Sequence, residues 1–209
     1  PMFFDQQINF ASRDPKILVD LHKMTEGHLD ATIMVAYLEQ QGLTDEDLLT
    51  ATAKADRILN EIEAMVAKSS QFVNIAYTPT DLYRLKAERK KAIMLGIENG
   101  YAIGKDLQNV ERFRNRGVVY MTLCHNGNNQ LCGSCRFNDE GLGVNAFGEE
   151  VIHEMNRVGM MVDISHAGDQ TFYDALDIST KPIVASHSSS RSLCNHPRNL
   201  TDDQLRKAM

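Results

Sequence analysis

The sequence predicts an α/β fold built around a parallel sheet that is covered on both faces. Short, continuous apolar runs recur along the 209 residues, and a segment with helical spacing follows each of them. This alternation is typical of parallel sheets, whose strands are buried on both sides by the connecting helices. The composition agrees, because 43% hydrophobic and 24% charged residues are ordinary values for a globular domain.

The strands are predicted from apolar runs that are too short for helices. The first run is bounded by Gly27 and Gly42, which favour turns at both of its ends. The predicted strands cover residues 31–38, 92–97, 118–123, 160–164 and 183–185, and residues 72–76 are interpreted as a further short strand.

The segments between the predicted strands carry apolar residues at helical spacing. Thr44 and three acidic residues after it start a long amphipathic helix, whose apolar positions continue to Val66. A final helix starts at Thr201, and the sequence reaches Met209 before that helix has room to end. The other helices are predicted over residues 80–91, 105–115, 145–158 and 169–176, with Gly117 and Gly159 ending the second and third of these.

Charge and hydropathy exclude two classes of protein. The formal net charge of −6 argues against a nucleic-acid binder, which would carry a basic surface. No apolar run approaches the roughly 18 residues that a membrane-spanning helix needs. Both ends look cut, because the sequence begins at Pro1 and stops within a helix, so we expect a missing segment at each end and leave the compartment open.

Four side chains with metal-binding or proton-transfer chemistry follow four successive predicted strands. They are Glu98, His125, His166 and His187. Because the carboxyl ends of parallel strands meet on one face of a barrel or doubly wound sheet, we expect these side chains to converge there. Three imidazoles and a carboxylate suit zinc. The sequence therefore predicts a metal centre, and the alternative is a set of unrelated helix caps and core residues.

Other candidate residues do not join this group. His22 and His153 fall in helical stretches and are interpreted as surface or packing residues. His28 and Asp30 form a His-x-Asp pair, but the pair precedes its strand and so belongs at the opposite end of the sheet. Asp163 lies inside a strand, three residues before His166, and we expect it to have a structural role or to support a ligand rather than to bind a metal.

Four cysteines in a chain of this length do not make a disulfide framework. Cys132 and Cys135 form a single C-x-x-C, with Cys124 upstream, whereas a structural zinc site usually needs a second such half. A disulfide or an inert loop is the preferred interpretation. The pairing of these three cysteines and of Cys194 is left open.

The segments around the strand ends also carry recognisable motifs. They read I-E-N-G at 97–100, Y-M-T-L-C-H-N at 120–126, M-V-D-I-S-H at 161–166 and A-S-H-S-S-S-R-S-L-C-N-H-P-R-N at 185–199. Together they resemble the membrane (renal) dipeptidase family, zinc enzymes of the amidohydrolase superfamily with a (β/α)8 barrel and a two-zinc site. The resemblance implies an incomplete TIM-type barrel with strands two to six, in a single-domain fragment (1–209) truncated at both ends.

The resemblance implies a role for each of five residues. Glu98 matches the carboxylate that bridges the two zinc ions, and His166 and His187 match the imidazoles on the second ion. His125 matches the histidine at the scissile carbonyl, and Arg198 matches the arginine that holds the free carboxylate of the substrate. The implied reaction is hydrolysis of the peptide bond of dipeptides by a metal-activated hydroxide.

The sequence also departs from the family pattern. The His-x-Asp pair that binds the first zinc, and a late-barrel aspartate thought to act as general base, have no counterpart here. Asn99 and Tyr101 replace the Gly and His that often follow the bridging glutamate, which suggests a shifted substrate preference. We expect dipeptidase activity from the full-length protein and none from the 209 residues alone. Two alternatives are an amidohydrolase acting on lactones or amides and a non-catalytic fragment, and a homodimer is left open.

Overall fold

The computed structural model describes residues 9–208, which contain five β-strands and seven α-helices. Pro1 and Met209, where the sequence suggested cut ends, lie outside the described residues. The strands are β1 (Ala31–Tyr37), β2 (Val73–Ile75), β3 (Lys91–Glu98), β4 (Val118–Thr122) and β5 (Met161–Asp163). The helices are α1 (Leu21–Glu26), α2 (Asp45–Lys68), α3 (Pro79–Ala87), α4 (Gln108–Asn115), α5 (Ala146–Val158), α6 (Asp169–Ile178) and α7 (Asp202–Lys207).

The strands form a sheet in the order β1-β3-β4-β5, and β2 pairs with β3. The β2–β3 and β4–β5 ladders are parallel, with Val73 opposite Lys91 and Tyr120 opposite Met161. The predicted α/β class is thereby confirmed, and the strand bounds differ from the predicted ones by at most two residues.

The last predicted strand, over residues 183–185, is shorter than expected. It is reduced to one parallel bridge between Val184 and Asp163. Pro182 before it has no N–H to donate to a ladder. After it, the N–H of Ser186 donates to the side chain of Asp163 rather than to a neighbouring strand.

The helix predictions differ from the structure mainly at the ends. Helix α3 ends at Ala87 instead of residue 91, because Arg89 adopts a left-handed conformation with φ of 59°. Helix α4 starts three residues later than predicted, after a 3₁₀ turn over Gly100–Ile103. Helix α5 is capped at its start by Asn145, whose side chain accepts from the N–H of Gly148, and at its end by Gly159 with φ of 75°, as the sequence predicts.

The chain divides into two compact units. The first contains the described residues up to Ala36 together with Asp56–Gly96. Its core includes a cluster of Ala76, Leu85 and Ala92, against which partly buried side chains of β1 and α3 pack. Its helix α3 starts with a reciprocal capping box between Thr78 and Asp81.

The second unit contains Tyr37–Ala55 and the chain from Ile97 onward. Helices α4, α5 and α6 pack in sequence within it, and strands β4 and β5 lie side by side. Its fully buried side chains include Val110, Phe113, Ile152, Met155, Val162 and Phe172. All five residues to which the sequence assigns a site role lie in this unit.

Asp169, the first residue of α6, joins several segments of the second unit. Its carboxylate accepts two hydrogen bonds from the Arg191 guanidinium, at 2.7 and 3.0 Å, and one each from Asn138 and Gln204. The Arg191 hydrogen bond holds the pKa of Asp169 below its ordinary value, although burial opposes this. The ion pair therefore fixes the loop that follows His187 against α6.

Replacing Arg191 by Gln should lower the free energy of unfolding by about 1 kcal/mol at neutral pH, a value discounted for the partial exposure of the pair. Because the folded-state pKa of Asp169 is depressed, this contribution is present above the unfolded-state pKa of about 3.9. It is lost as the pH falls through the folded-state value. Urea unfolding followed by circular dichroism, from neutral pH down to about pH 2, measures the effect.

The matched control is Arg206→Gln, which removes an exposed arginine of α7 and should change the stability little. A deficit of Arg191→Gln that stays undiminished at low pH would contradict the role assigned to the ion pair.

Candidate metal centre

The predicted metal-binding residues lie at or just beyond the carboxyl ends of their strands. Glu98 is the last residue of β3. His125 and His166 each lie three residues beyond the end of β4 and of β5, and His187 lies three residues beyond the bridge at Val184. The carboxyl ends of neighbouring parallel strands thus deliver all four side chains to one edge of the sheet.

The structure brings these four side chains together around one carboxylate oxygen. The Oε1 atom of Glu98 lies 3.3 Å from Nε2 of His187, 3.4 Å from Nε2 of His166 and 3.7 Å from Nε2 of His125. The two Nε2 atoms of His166 and His187 are 3.0 Å apart. Glu98, His166 and His187 place one potential ligand atom each within 4.8 Å of one another.

Asn126 determines which nitrogen of His166 carries hydrogen. The Nδ1 atom of His166 lies 3.0 Å from the amide oxygen of Asn126. An amide oxygen only accepts hydrogen bonds, so the neutral ring carries its hydrogen on Nδ1. The Nε2 atom that faces Glu98 is therefore left with a lone pair.

Ser186 and Asp163 do the same for His187. The hydroxyl of Ser186 donates to Oδ2 of Asp163 at 2.6 Å and accepts from Nδ1 of His187 at 2.7 Å. The ring hydrogen of His187 thus lies on Nδ1, and its Nε2 also carries a lone pair. Two bare ring nitrogens 3.0 Å apart repel each other unless a cation lies between them and the carboxylate. The donor set therefore fits a metal ion.

Asp163 connects the ends of neighbouring strands through hydrogen bonds. It is fully buried, and its carboxylate accepts from the hydroxyl of Thr122 at 2.7 Å and from the backbone N–H groups of Ser165 and Ser186, both at 3.0 Å. The expectation that Asp163 supports a ligand rather than binds a metal agrees with these contacts, since its two oxygens face hydrogen-bond donors. Supporting hydrogen bonds of this kind orient metal-binding imidazoles.

The electrostatic environment favours the charge states that a metal needs. Burial alone would raise the pKa of Glu98, but its close contacts with His166 and His187 more than offset this, and the pKa lies well below its usual range. Burial, with the nearby His166, lowers the pKa of His125 to about 4. Burial likewise lowers the pKa of His166. The Glu98 carboxylate is therefore ionised at neutral pH, and the lowered pKa values of His125 and His166 favour their neutral rings, as metal binding requires.

The backbone beside two of these residues is held in left-handed conformations. The φ angle is 70° at His166 and 96° at Asn99, which follows Glu98 directly. The buried Asn99 side chain donates to the carbonyl of Leu38 and accepts from the Asn129 amide and the Tyr101 N–H. These bonds compensate a conformation that is strained for a residue with a side chain. The resemblance linked Asn99 to substrate preference, whereas the structure gives its side chain these positioning contacts.

Tyr101, the other departure from the family pattern, is 2% exposed, and its hydroxyl donates to the carbonyl of Gly42 at 2.6 Å. It packs inside the second unit and does not line the metal centre. Tyr101 therefore makes no direct contact at the metal centre through which it could shift the substrate preference.

Arg198 lies beside the cluster. Its guanidinium donates to the carbonyl of His187 at 3.1 Å and to the hydroxyl of Ser188 at 3.3 Å. It borders a cavity of about 370 Å³ that Asn126 also lines. Among residues 9–208 its guanidinium contacts neutral oxygen atoms rather than a carboxylate.

The rejected candidates lie elsewhere. Asp30 belongs to the first unit, is half exposed and pairs with Lys86 at 2.9 Å and Lys91 at 3.8 Å. His153 is exposed and lies near Glu149 on α5.

The cysteines form no disulfide. Cys124, Cys132 and Cys135 are buried and Cys194 is exposed, and all four are free thiols. Within the part of the chain that the structure describes, no cysteine belongs to a group that could hold a metal.

An α/β chain that presents a carboxylate and imidazoles at successive strand ends has the layout and donor set of a metal-dependent hydrolase. The sequence model of the family described as membrane dipeptidase (peptidase family M19) matches residues 1–208. The chain therefore belongs to the membrane dipeptidase family.

Individual relatives agree with this membership. An uncharacterised dipeptidase of Schizosaccharomyces pombe is 34% identical over 199 residues, which are 90% of this chain and 47% of the relative. The crystal structure of the probable dipeptidase PvdM from Pseudomonas aeruginosa superposes with a TM-score of 0.90 at 28% identity, over 100% of this chain and 55% of that one. A Rhodobacter sphaeroides metallo peptidase liganded with a phosphinate mimic of L-Ala-D-Ala shares the fold, with a TM-score of 0.85 at 22% identity over 93% and 63% of the two chains.

The chain spans about half the length of the curated relatives that it matches. The likeness is consistent with the predicted partial barrel. Within residues 9–208, none of the helices has both the length and the apolar character that crossing a bilayer requires.

The hydrogen bond that His187 donates to Ser186 should matter for metal affinity. Ser186→Ala removes the acceptor for Nδ1–H and frees the ring to turn or change tautomer. We expect the affinity for Zn²⁺ to fall about 10- to 100-fold. Calorimetric titration of the whole chain with Zn²⁺, in competition with a chelator, measures the loss.

Ser192→Ala is the matched control, because within residues 9–208 its hydroxyl bonds to Ser190 and Asp202 and to none of the four converging residues. Equal affinities of Ser186→Ala and the unmodified chain would show that Ser186 does not position a ligand.

Proposed function

We propose that the complete protein is a zinc-dependent dipeptidase, which hydrolyses the peptide bond of dipeptides. Family membership supports the reaction class. One observation carries the proposal for this chain: the Glu98 carboxylate and the bare Nε2 atoms of His166 and His187 face a common point. Two imidazole nitrogens and a carboxylate oxygen are preferred ligands of zinc.

The proposed ligand roles follow the geometry. His166 and His187 would hold one zinc ion, and the Glu98 carboxylate would contribute to that ion and to a second one, whose other ligands we do not assign to the described residues. The 209 residues then form part of one barrel domain and are inactive by themselves. The homodimer stays a prediction.

The metal ions, when bound, would polarise the scissile carbonyl and favour the ionisation of water at neutral pH. His125 lies on the same side of Glu98 as the two other histidines, with its ring 4.1 Å from that of His166 and 4.8 Å from that of Tyr37. The His125 ring packs between these two rings. Its N–H can donate to the oxygen of the scissile carbonyl as negative charge develops on that oxygen. Such a fixed donor stabilises a transition state more than a ground state.

Arg198 orients the substrate. Its planar guanidinium can form two parallel hydrogen bonds to the free carboxylate of a dipeptide. Arg198 donates a hydrogen bond to the carbonyl of His187. A substrate carboxylate bound to Arg198 therefore lies at a set distance from the metal ligands. This arrangement favours a dipeptide over a lactone or a neutral amide, which would offer the guanidinium no anion.

Glu98→Gln in the complete protein tests the proposal. The substitution keeps the shape of the side chain but removes the charge shared with the metal ions. We expect zinc content to fall by about half or more and kcat/KM for dipeptides to fall by about 100-fold or more, since charge stabilisation at the reacting centre is lost. Elemental analysis and a dipeptide hydrolysis assay measure the two effects.

Glu150→Gln, at an exposed position of α5, is the matched control and should retain both properties. Full zinc and full activity in Glu98→Gln would overturn the proposal. An unmodified enzyme that hydrolyses lactones or neutral amides but no dipeptide would favour the other amidohydrolase interpretation.

A further inference from the structure

The cavity beside the metal centre has a basic lining. Its wall is made by Asn126, Cys135, Arg136, His196, Pro197 and Arg198, without any carboxylate. Its volume of about 370 Å³ lies in the range of small-molecule sites. Because Asn126 also accepts the hydrogen bond from His166, the cavity adjoins the proposed reaction centre.

Arg136 is a second arginine on this wall, and Arg198 alone can account for one substrate carboxylate. The Arg136 side chain is exposed, and its guanidinium has no hydrogen-bond or ion-pair partner among residues 9–208. By contrast, the guanidinium of Arg191 in the same unit donates to Asp169 and to backbone carbonyls. Two guanidinium groups on one small cavity repel each other, and an anion bound between them removes that cost.

His196 adds a hydrogen-bond donor. Its Nδ1 accepts from the N–H of Arg198 at 3.1 Å, so the neutral ring carries its hydrogen on Nε2. The cavity therefore offers two guanidinium forks and an imidazole N–H, which is more donor capacity than a single carboxylate can use.

We propose that the preferred substrates are dipeptides whose second residue has an anionic side chain. Arg198 binds the main-chain carboxylate, and Arg136, assisted by His196, binds the side-chain carboxylate. This inference rests on the proposed function and deepens it, because it assigns Arg136 as the residue that determines specificity.

The experiment compares Ala-Glu with its neutral isostere Ala-Gln, with either configuration at the second residue, in the complete enzyme. The unmodified enzyme should prefer Ala-Glu by about tenfold or more in kcat/KM, the effect of one charge-assisted hydrogen bond. Arg136→Gln should abolish this preference by lowering kcat/KM for Ala-Glu, and Arg136→Lys should restore part of it. Arg206→Gln, which removes the same charge outside the cavity, should keep the full preference.

Calorimetric binding of free glutamate and glutamine, the second residues of these dipeptides, gives a readout that does not need turnover. Glutamate should bind more tightly, and Arg136→Gln should remove the difference. If neither dipeptide is hydrolysed but glutamate still binds through Arg136, the proposed function fails and the anionic site stands. Equal handling of Ala-Glu and Ala-Gln by the unmodified enzyme, or equal losses for both in Arg136→Gln, would overturn this inference and leave the dipeptidase proposal intact.

Discussion

The structure of the site depends on two imidazole nitrogens that face each other without a hydrogen between them. Asn126 and Ser186 each hold the only hydrogen of a neutral ring on its far side, so the Nε2 atoms of His166 and His187 meet at 3.0 Å beside a carboxylate. Lone pairs at this distance are unfavourable unless a cation accepts them. The supporting hydrogen bonds therefore prepare a metal site, and this requirement explains the buried polar groups around it.

The sheet meets this requirement through its strand ends. A buried carboxylate, Asp163, binds donors from β4, from its own strand and from the segment after Val184. It thereby fixes the spacing between strands that deliver separate ligands. Strain at His166 and Asn99 is maintained by the same hydrogen-bonded surroundings, as is common where function dictates the backbone.

Much of this could be predicted from the sequence, because continuous apolar strands and capped helices leave a local signal. Glu98, His125, His166 and His187 stand out since each follows such a strand, and the structure brings them together. Contacts between distant segments leave no such signal. The pairing of Ser186 with Asp163 and the exposed guanidinium of Arg136 depend on distances across the fold, and a local pattern could not show that Val184 makes one bridge rather than a strand.

The most direct test of the central claim is X-ray absorption spectroscopy at the zinc edge of the complete, zinc-loaded protein. The account predicts a first shell of nitrogen and oxygen atoms near 2.0–2.2 Å, with the outer-shell scattering of at least two imidazole rings. It also predicts that the imidazole signal weakens when His166 or His187 is replaced. A shell dominated by sulfur near 2.3 Å would place the metal at the cysteines and contradict the account.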